Sequence, residues 1–155
     1  MNELIKEIIE TSGDEVSIFR MLDDEERRKV ADFFELVKCP AGSIYLNEGD
    51  KVSNIGIIVS GKMRFERNNH ITGRPALLAV LEKGAHVGDF SMMSERGAMG
   101  RLRAIEDTEL LVTSHEKLDA FMQEYPYAGI KILKGISTVL SIRLMSAIDR
   151  VMILS

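Results

Sequence analysis

Two changes of period divide the chain. Before Pro40-Ala41-Gly42 the apolar residues recur at helical spacing, from there to Thr113 they recur in short runs of period two, and after Thr113-Ser114 the helical spacing returns. A run of short alternating strands held between helices predicts an antiparallel β-roll or sandwich, not a parallel α/β sheet or a bundle.

In the first section, Leu4, Ile5, Ile8 and Ile9 form the stripe of a short amphipathic helix that ends at Ser12-Gly13-Asp14. Asp23 is placed to cap a second helix, and Glu26, three residues on, completes a capping box. Val30, Phe33, Phe34 and Val37 are expected as the buried stripe of that helix, so residues 1–38 read as N-terminal helices. Pro40 cannot continue the helical bonding and Gly42 supplies turn geometry.

The roll is expected over residues 40–113, with strands Ser43 to Leu46, Ile55 to Val59, Lys62 to Arg67, Leu77 to Leu81, Leu102 to Ile105 and Leu110 to Thr113. In Lys62-Met63-Arg64-Phe65-Glu66-Arg67 the alternation sends Met63 and Phe65 inward and the charges into water. Glu48-Gly49-Asp50, Ser60-Gly61, Asn68-Asn69, Thr72-Gly73 and Lys83-Gly84 carry turn chemistry. Residues 114–155 read as C-terminal helices. Thr113-Ser114 caps a helix carrying Leu118, Phe121 and Met122, Pro126 interrupts it, and a last helix runs from about Tyr127 to the end. That helix is apolar all round, as expected of one buried on two sides. Ile130, Leu133, Leu140, Leu144, Ile148 and Val151 lie on the row expected to meet a second copy of the chain, giving a homodimer.

Composition narrows the function. A length of 155 residues with 45% hydrophobic and 28% charged residues suits one folded domain. A net charge of -4 offers no general attraction for a phosphate backbone. Cys39, the only cysteine, excludes an internal disulfide and reads as a buried small apolar residue. Residues 1–10 carry Glu3, Lys6, Glu7 and Glu10, unlike a signal peptide, and no stretch approaches the roughly 20 apolar residues of a membrane span. No membrane association and a cytoplasmic location are expected. His70, His86 and His115 show no metal-ligand spacing, and no nucleophile-base pattern or phosphate-binding lysine loop is present, so no metal site and no catalysis are expected.

The order of elements, with Pro40-Ala41-Gly42, Glu48-Gly49-Asp50, Val59-Ser60-Gly61-Lys62, Gly84 with Gly88-Asp89-Phe90, and Glu106-Asp107-Thr108-Glu109-Leu110-Leu111, resembles the cyclic nucleotide-binding domain of catabolite activator proteins and protein kinase regulatory subunits. The resemblance runs from about Val16 to Met145. It implies a non-catalytic sensor module whose ligand is a cyclic nucleotide, cyclic AMP or cyclic GMP. It further implies a phosphate-binding cassette at Gly88, Asp89, Phe90 and Ser91, where backbone N–H groups receive the phosphate and the acidic residue takes the ribose hydroxyl. Asp89 is one methylene shorter than the family's glutamate.

An arginine later in the cassette pairs with the phosphate in the family, and an ungapped count places that position at Ala98, followed by Met99. Losing a charge-assisted pair to a desolvated anion costs several kcal/mol. Arg96, Arg101 and the neighbouring Arg103 are alternative partners for the anion, and Met99 is an alternative occupant of the phosphate position. Two readings stay open: a sensor with atypical ligand binding, and a degenerate copy serving as a dimerisation or protein-interaction scaffold. The DNA-binding relatives continue into a helix-turn-helix beyond the long helix, so no direct DNA binding is expected of residues 1–155.

Overall fold

The computed structural model describes residues 2–12, 18–88 and 97–155. Two helices, α1 (Asn2–Ser12) and α2 (Asp24–Ala31), precede eight strands. These are β1 (Glu35–Cys39), β2 (Ile44–Leu46), β3 (Asn54–Ser60), β4 (Met63–Asn68), β5 (Pro75–Leu81), β6 (His86–Val87), β7 (Arg101–Ala104) and β8 (Thr108–Ser114), followed by α3 (His115–Glu124) and α4 (Pro126–Leu154). Among the described residues the strands form two antiparallel four-stranded sheets, ordered β1-β8-β3-β6 and β2-β7-β4-β5. This is the antiparallel roll with flanking helices and a long terminal helix that the change of period predicts.

The two sheets enclose one apolar cluster, in which Ile58, Val87 and Leu110 of the first face Met63, Leu102 and Ala104 of the second. A second cluster covers the outer face of the first sheet. There Ile55, Ile57 and Leu111 pack against Ile5 and Ile9 of α1, Leu118 and Phe121 of α3, and Ile132 and Ile136 of α4. Strict alternation along β3 divides Ile58 from Ile57 and Val59, so one strand serves both clusters.

The capping box at α2 is formed: Glu26 N–H donates to Asp23 Oδ1 at 2.8 Å and Asp23 N–H to Glu26 Oε1 at 3.1 Å. Lys131 of α4 pairs with the same Glu26, tying the two helices together. The sequence reading of this section requires one correction. The helix stops at Ala31, and Val37 belongs to β1, opposite Leu110 of β8, so the strands begin at Glu35 and not after Pro40. Phe33 and Phe34 keep helical spacing because the chain leaves α2 through tight turns, with N–H bonds to Val30 and Ala31 carbonyls, that hold both rings near the helix cluster. The edge of β8 then supplies backbone partners for Glu35 to Cys39, a tertiary pairing that overrides the helix propensity of Glu35, Leu36 and Lys38. Strand β6 is too short to show a period.

Three of the resemblance motifs prove to be turn clamps. The Asp107 carboxylate accepts the Ala41 N–H at 2.9 Å, and Thr108 Oγ1 accepts the Lys62 N–H at 3.1 Å. Gly61, at φ 85, sits so close to the Asp107 carbonyl and Thr108 that a side chain there would collide with backbone. Three sequence-distant turns thus lock to one another at one end of the roll. Cys39 is a free thiol, 7% exposed, whose pKa burial pushes up, in keeping with its structural reading.

Phe121 is fully buried and meets Phe33 edge-on, ring centroids 5.1 Å apart. Replacing it with alanine should lower the free energy of unfolding by about 3 to 5 kcal/mol, read from urea unfolding followed by circular dichroism.

Candidate ligand cleft

Antiparallel pairing of β6 with β3, Val87 opposite Gly56 and His86 opposite Ile57, brings Gly88 over the start of β3. Gly88 has φ 66, and a Cβ there would run into the Asn54 carbonyl oxygen, so only glycine fits. His115, the first residue of α3, holds ring Nε2 3.3 Å from the Gly88 carbonyl oxygen. Farther along, Ala98 N–H donates to the Asp50 carbonyl at 2.7 Å and Gly49 N–H to the Ala98 carbonyl at 2.8 Å. The turn Glu48-Gly49-Asp50 is therefore fastened to the chain at Gly97-Ala98.

Between this turn, the inner face of β4 and β5, and α4 lies a cleft of about 1240 Å³. Gly88 and Ala98 line one side, Phe65, Arg67 and Leu81 another, and Val139, Ile142, Arg143, Ser146 and Arg150 of α4 close it. The Arg143 guanidinium donates to the His86 carbonyl at 2.9 Å, and that of Arg150 to the Leu78 carbonyl at 3.0 Å.

A family model described as "Cyclic nucleotide-binding domain" matches residues 36–125. The chain belongs to the cyclic nucleotide-binding domain family. Among curated relatives, the domain is 30% identical over 109 residues to the cyclic AMP receptor protein of Thermus thermophilus, covering 70% of this chain and 50% of that protein. It is also 30% identical over 104 residues to lysophospholipase NTE1 of Chaetomium globosum, covering 67% of this chain but 7% of the enzyme. The chain thus spans from a small fraction to half of the length of these relatives. Among solved structures, a cyclic nucleotide-binding domain from Methylobacillus flagellatus superposes with a TM-score of 0.85 at 22% identity, over 99% of this chain and 85% of the other. The catabolite activator protein of Thermus thermophilus gives 0.75 at 28% identity, over 89% and 62%.

Of the site residues expected from sequence, Gly88, Ala98 and Met99 border the cleft, whereas Asp89, Phe90, Ser91 and Arg96 lie outside the described residues. Ala98 is buried. Met99 is 67% exposed, which places it at the rim, not as a plug in the interior. Arg101 points away from the cleft, because the next residue, Leu102, is the one turned into the roll; its Nη2 lies 3.2 Å from the buried Glu66 carboxylate. Arg103 donates to the Gly42 carbonyl at 3.2 Å.

Sequence alternation placed all the charges of β4 in water, and the domain departs from that at Glu66. Glu66 is 5% exposed, held between Arg64 at 2.8 Å and Arg101. Arg67 stays exposed, as alternation expects, and lines the cleft beside Phe65, 3.7 Å from Glu48. The cleft arginines of α4 were also not singled out from sequence. Their spacing of seven residues, two helical turns, places them on one face with Val139, Ile142 and Ser146, but an all-round apolar helix conceals which face matters.

No helix among the described residues is long and apolar enough to cross a membrane, and no three of their His, Cys, Asp and Glu side chains cluster as metal ligands would. His86 is 1% exposed, and neither ring nitrogen has a hydrogen-bond partner among the described residues. Burial, with a smaller contribution from the Arg143 charge, pushes its pKa down to about 4 from 6.5. The unfolded chain therefore takes up a proton that the folded domain refuses between these values. Stability is full above pH 6.5 and falls as the pH drops toward 4. The loss should reach about 3 kcal/mol, and in His86→Leu this part of the pH slope should vanish from urea unfolding midpoints measured between these limits.

Proposed function

We propose that this chain is a non-catalytic regulatory module in which a ligand of the cyclic nucleotide type enters the cleft between Gly88 and α4 and changes the disposition of that helix. The observation that carries the reading is the contact of Arg143 with His86, two residues before Gly88. A ligand lying against Gly88, Ala98 and the α4 arginines touches the start of the cassette and the terminal helix at once. Such a ligand shifts the equilibrium of the helix by its differential affinity for the two arrangements. The cyclic AMP receptor protein among the relatives supports the ligand class.

Ala98 bears on the strength of binding. With an alanine methyl where the family carries a guanidinium, a cyclic phosphate reaching this side of the cleft meets no counter-charge from Ala98. The same observation favours the second reading, a cleft retained for assembly without nucleotide. Isothermal titration separates them. Cyclic AMP and cyclic GMP should bind weakly, and Ala98→Arg should tighten cyclic AMP binding by about tenfold or more, the worth of one charge-assisted pair. Absence of heat from both nucleotides at millimolar concentration, with and without the substitution, would leave the scaffold reading.

The module works as a homodimer through α4, in the cytoplasm, and passes its signal to a partner without contacting DNA itself. On α4 the residues Ile130, Leu133, Leu140, Leu144, Ile148 and Val151 are all exposed, with Ile148 at 42% and Val151 at 67%. They form a row turned away from the core contacts of Ile132 and the cleft contacts of Val139 and Arg143. A charge in the middle of an apolar seam is desolvated without a partner. Ile148→Glu should therefore shift the dimer toward monomer by an order of magnitude or more in sedimentation equilibrium; an unchanged constant would count against this seam.

A further inference from the structure

The helices cover the outer face of the first sheet, where Ile55, Ile57 and Leu111 meet α1, α3 and α4. The outer face of the second sheet, β2-β7-β4-β5, carries exposed apolar residues instead. Pairing register gives that face its order. Ile44 lies opposite Arg103, Arg103 opposite Arg64, and Arg64 opposite Val80, so a row of apolar, cation, cation, apolar crosses all four strands. Ile44 and Val80 are 43% and 48% exposed, on strands three spacings apart, about 14 Å. The next row holds Arg101, Glu66 and Leu77, and Leu77 is 52% exposed.

The two central cations of the row face each other, and like charges directly opposite in a sheet are destabilising. Glu66 is shared between Arg64 Nε at 2.8 Å and Arg101 Nη2 at 3.2 Å. Arg103 has no carboxylate partner among the described residues. Its guanidinium donates to the Gly42 carbonyl, an acceptor that holds the group without cancelling its charge. Beside the row, Lys62 and Glu82 satisfy each other at 3.5 Å.

A pairing that costs stability, with apolar side chains left open at both ends, marks a surface completed by something else. The complement is two negative charges about 5 Å apart with an apolar group beyond each. Residues four apart on a helix lie about 5 to 6 Å apart on one face. A helix laid across the strands with apolar, acidic, acidic and apolar residues at four-residue steps therefore matches the row. A phosphate backbone supplies the anions but not the apolar ends, and the net charge of -4 opposes it.

We propose that the outer face of β2-β7-β4-β5 docks an acidic amphipathic helix of a partner protein, its carboxylates on Arg103 and Arg64 and its apolar residues on Ile44 and Val80. The inference rests on the regulatory reading, in which the signal passes to a partner, and gives that partner its chemistry. Ala79 and Leu81, the neighbours of Val80, line the cleft from the other face of the same strand.

The test is fluorescence anisotropy of the full chain with a labelled alanine-based helical peptide carrying Leu, Glu, Glu and Leu at four-residue steps. Saturable binding should weaken about fivefold or more when Gln replaces both Glu, and equally in the double variant Arg64→Gln, Arg103→Gln, the worth of two exposed ion pairs. Lys38→Gln, on β1 of the other sheet, should leave it unchanged. No saturable binding at millimolar chain, an affinity indifferent to the double variant, or a 20-base-pair DNA duplex bound as tightly as the Glu peptide overturns the proposal. Cyclic nucleotide titrations address the cleft separately, so such a failure leaves the regulatory reading in place. In the chain alone, Arg103→Gln should hold or raise the urea unfolding midpoint; a lower midpoint assigns the arginine to the fold and overturns the proposal.

Discussion

The antiparallel pairing of β3 with β8 is the constraint on which the rest of the domain depends. Asn54 to Ile58 lie opposite Ser114 to Leu110, and five consecutive residues of β3, Ile55 to Val59, are buried. A strand buried on both faces cannot slip by one residue without exchanging Ile57 and Ile58 between the helix-side cluster and the roll interior. Gly56 permits this closeness, since a Cβ there would press on Val87, Leu110 and the Tyr45 hydroxyl. With that register set, β1 and β6 have their places on either side, and β6 delivers Gly88 to the mouth of the cleft.

The same pairing determines where α3 and α4 lie. Strand β8 ends at Ser114, whose side chain accepts the Lys117 N–H at 3.0 Å and so starts α3 at His115, within reach of the Gly88 carbonyl. Helix α3 then leads through Tyr125-Pro126 into α4, with proline in the first turn where its missing N–H costs nothing. The first half of α4 buries Ala128, Ile132 and Ile136 against the helices, while the second half runs past the open side of the roll. One helix therefore presents three environments along its length: core, cleft wall and an exposed apolar row. Its lack of a single stripe follows from that division.

Charge placement in the cleft follows from the same geometry. The end of the roll near Gly49 and Ala98 is pinned by backbone hydrogen bonds and carries an alanine where the family resemblance implies an arginine. Positive charge enters from β4 and from α4, elements whose backbones are held by packing elsewhere. An arginine on such an element is set in direction by its own carbonyl anchor, as Arg143 is by His86 and Arg150 by Leu78. Arg143 thereby ties α4 to the strand that precedes Gly88.

Alternation of period was enough to read the roll, most of its strands and the capping box at Asp23, because these depend on neighbours a few residues apart. The family was legible in five short turn motifs, three of which clamp turns to one another through the close approach at Gly61 and the side-chain hydrogen bonds of Asp107 and Thr108. Simple counting singles out Ala98 as the expected place of the family's arginine, and in the fold Ala98 lines the cleft. What required the folded chain was every feature decided by a distant partner: Val37 becoming a strand because β8 offers an edge, Glu66 being buried because Arg64 and Arg101 enclose it, and Arg101 turning outward because Leu102 turns in. The face of α4 that closes the cleft belongs to the same class. An apolar helix carries no periodic mark of which side will meet a ligand, and it is the packing of its first half on Phe121 and its neighbours that rotates Arg143 and Arg150 toward the opening.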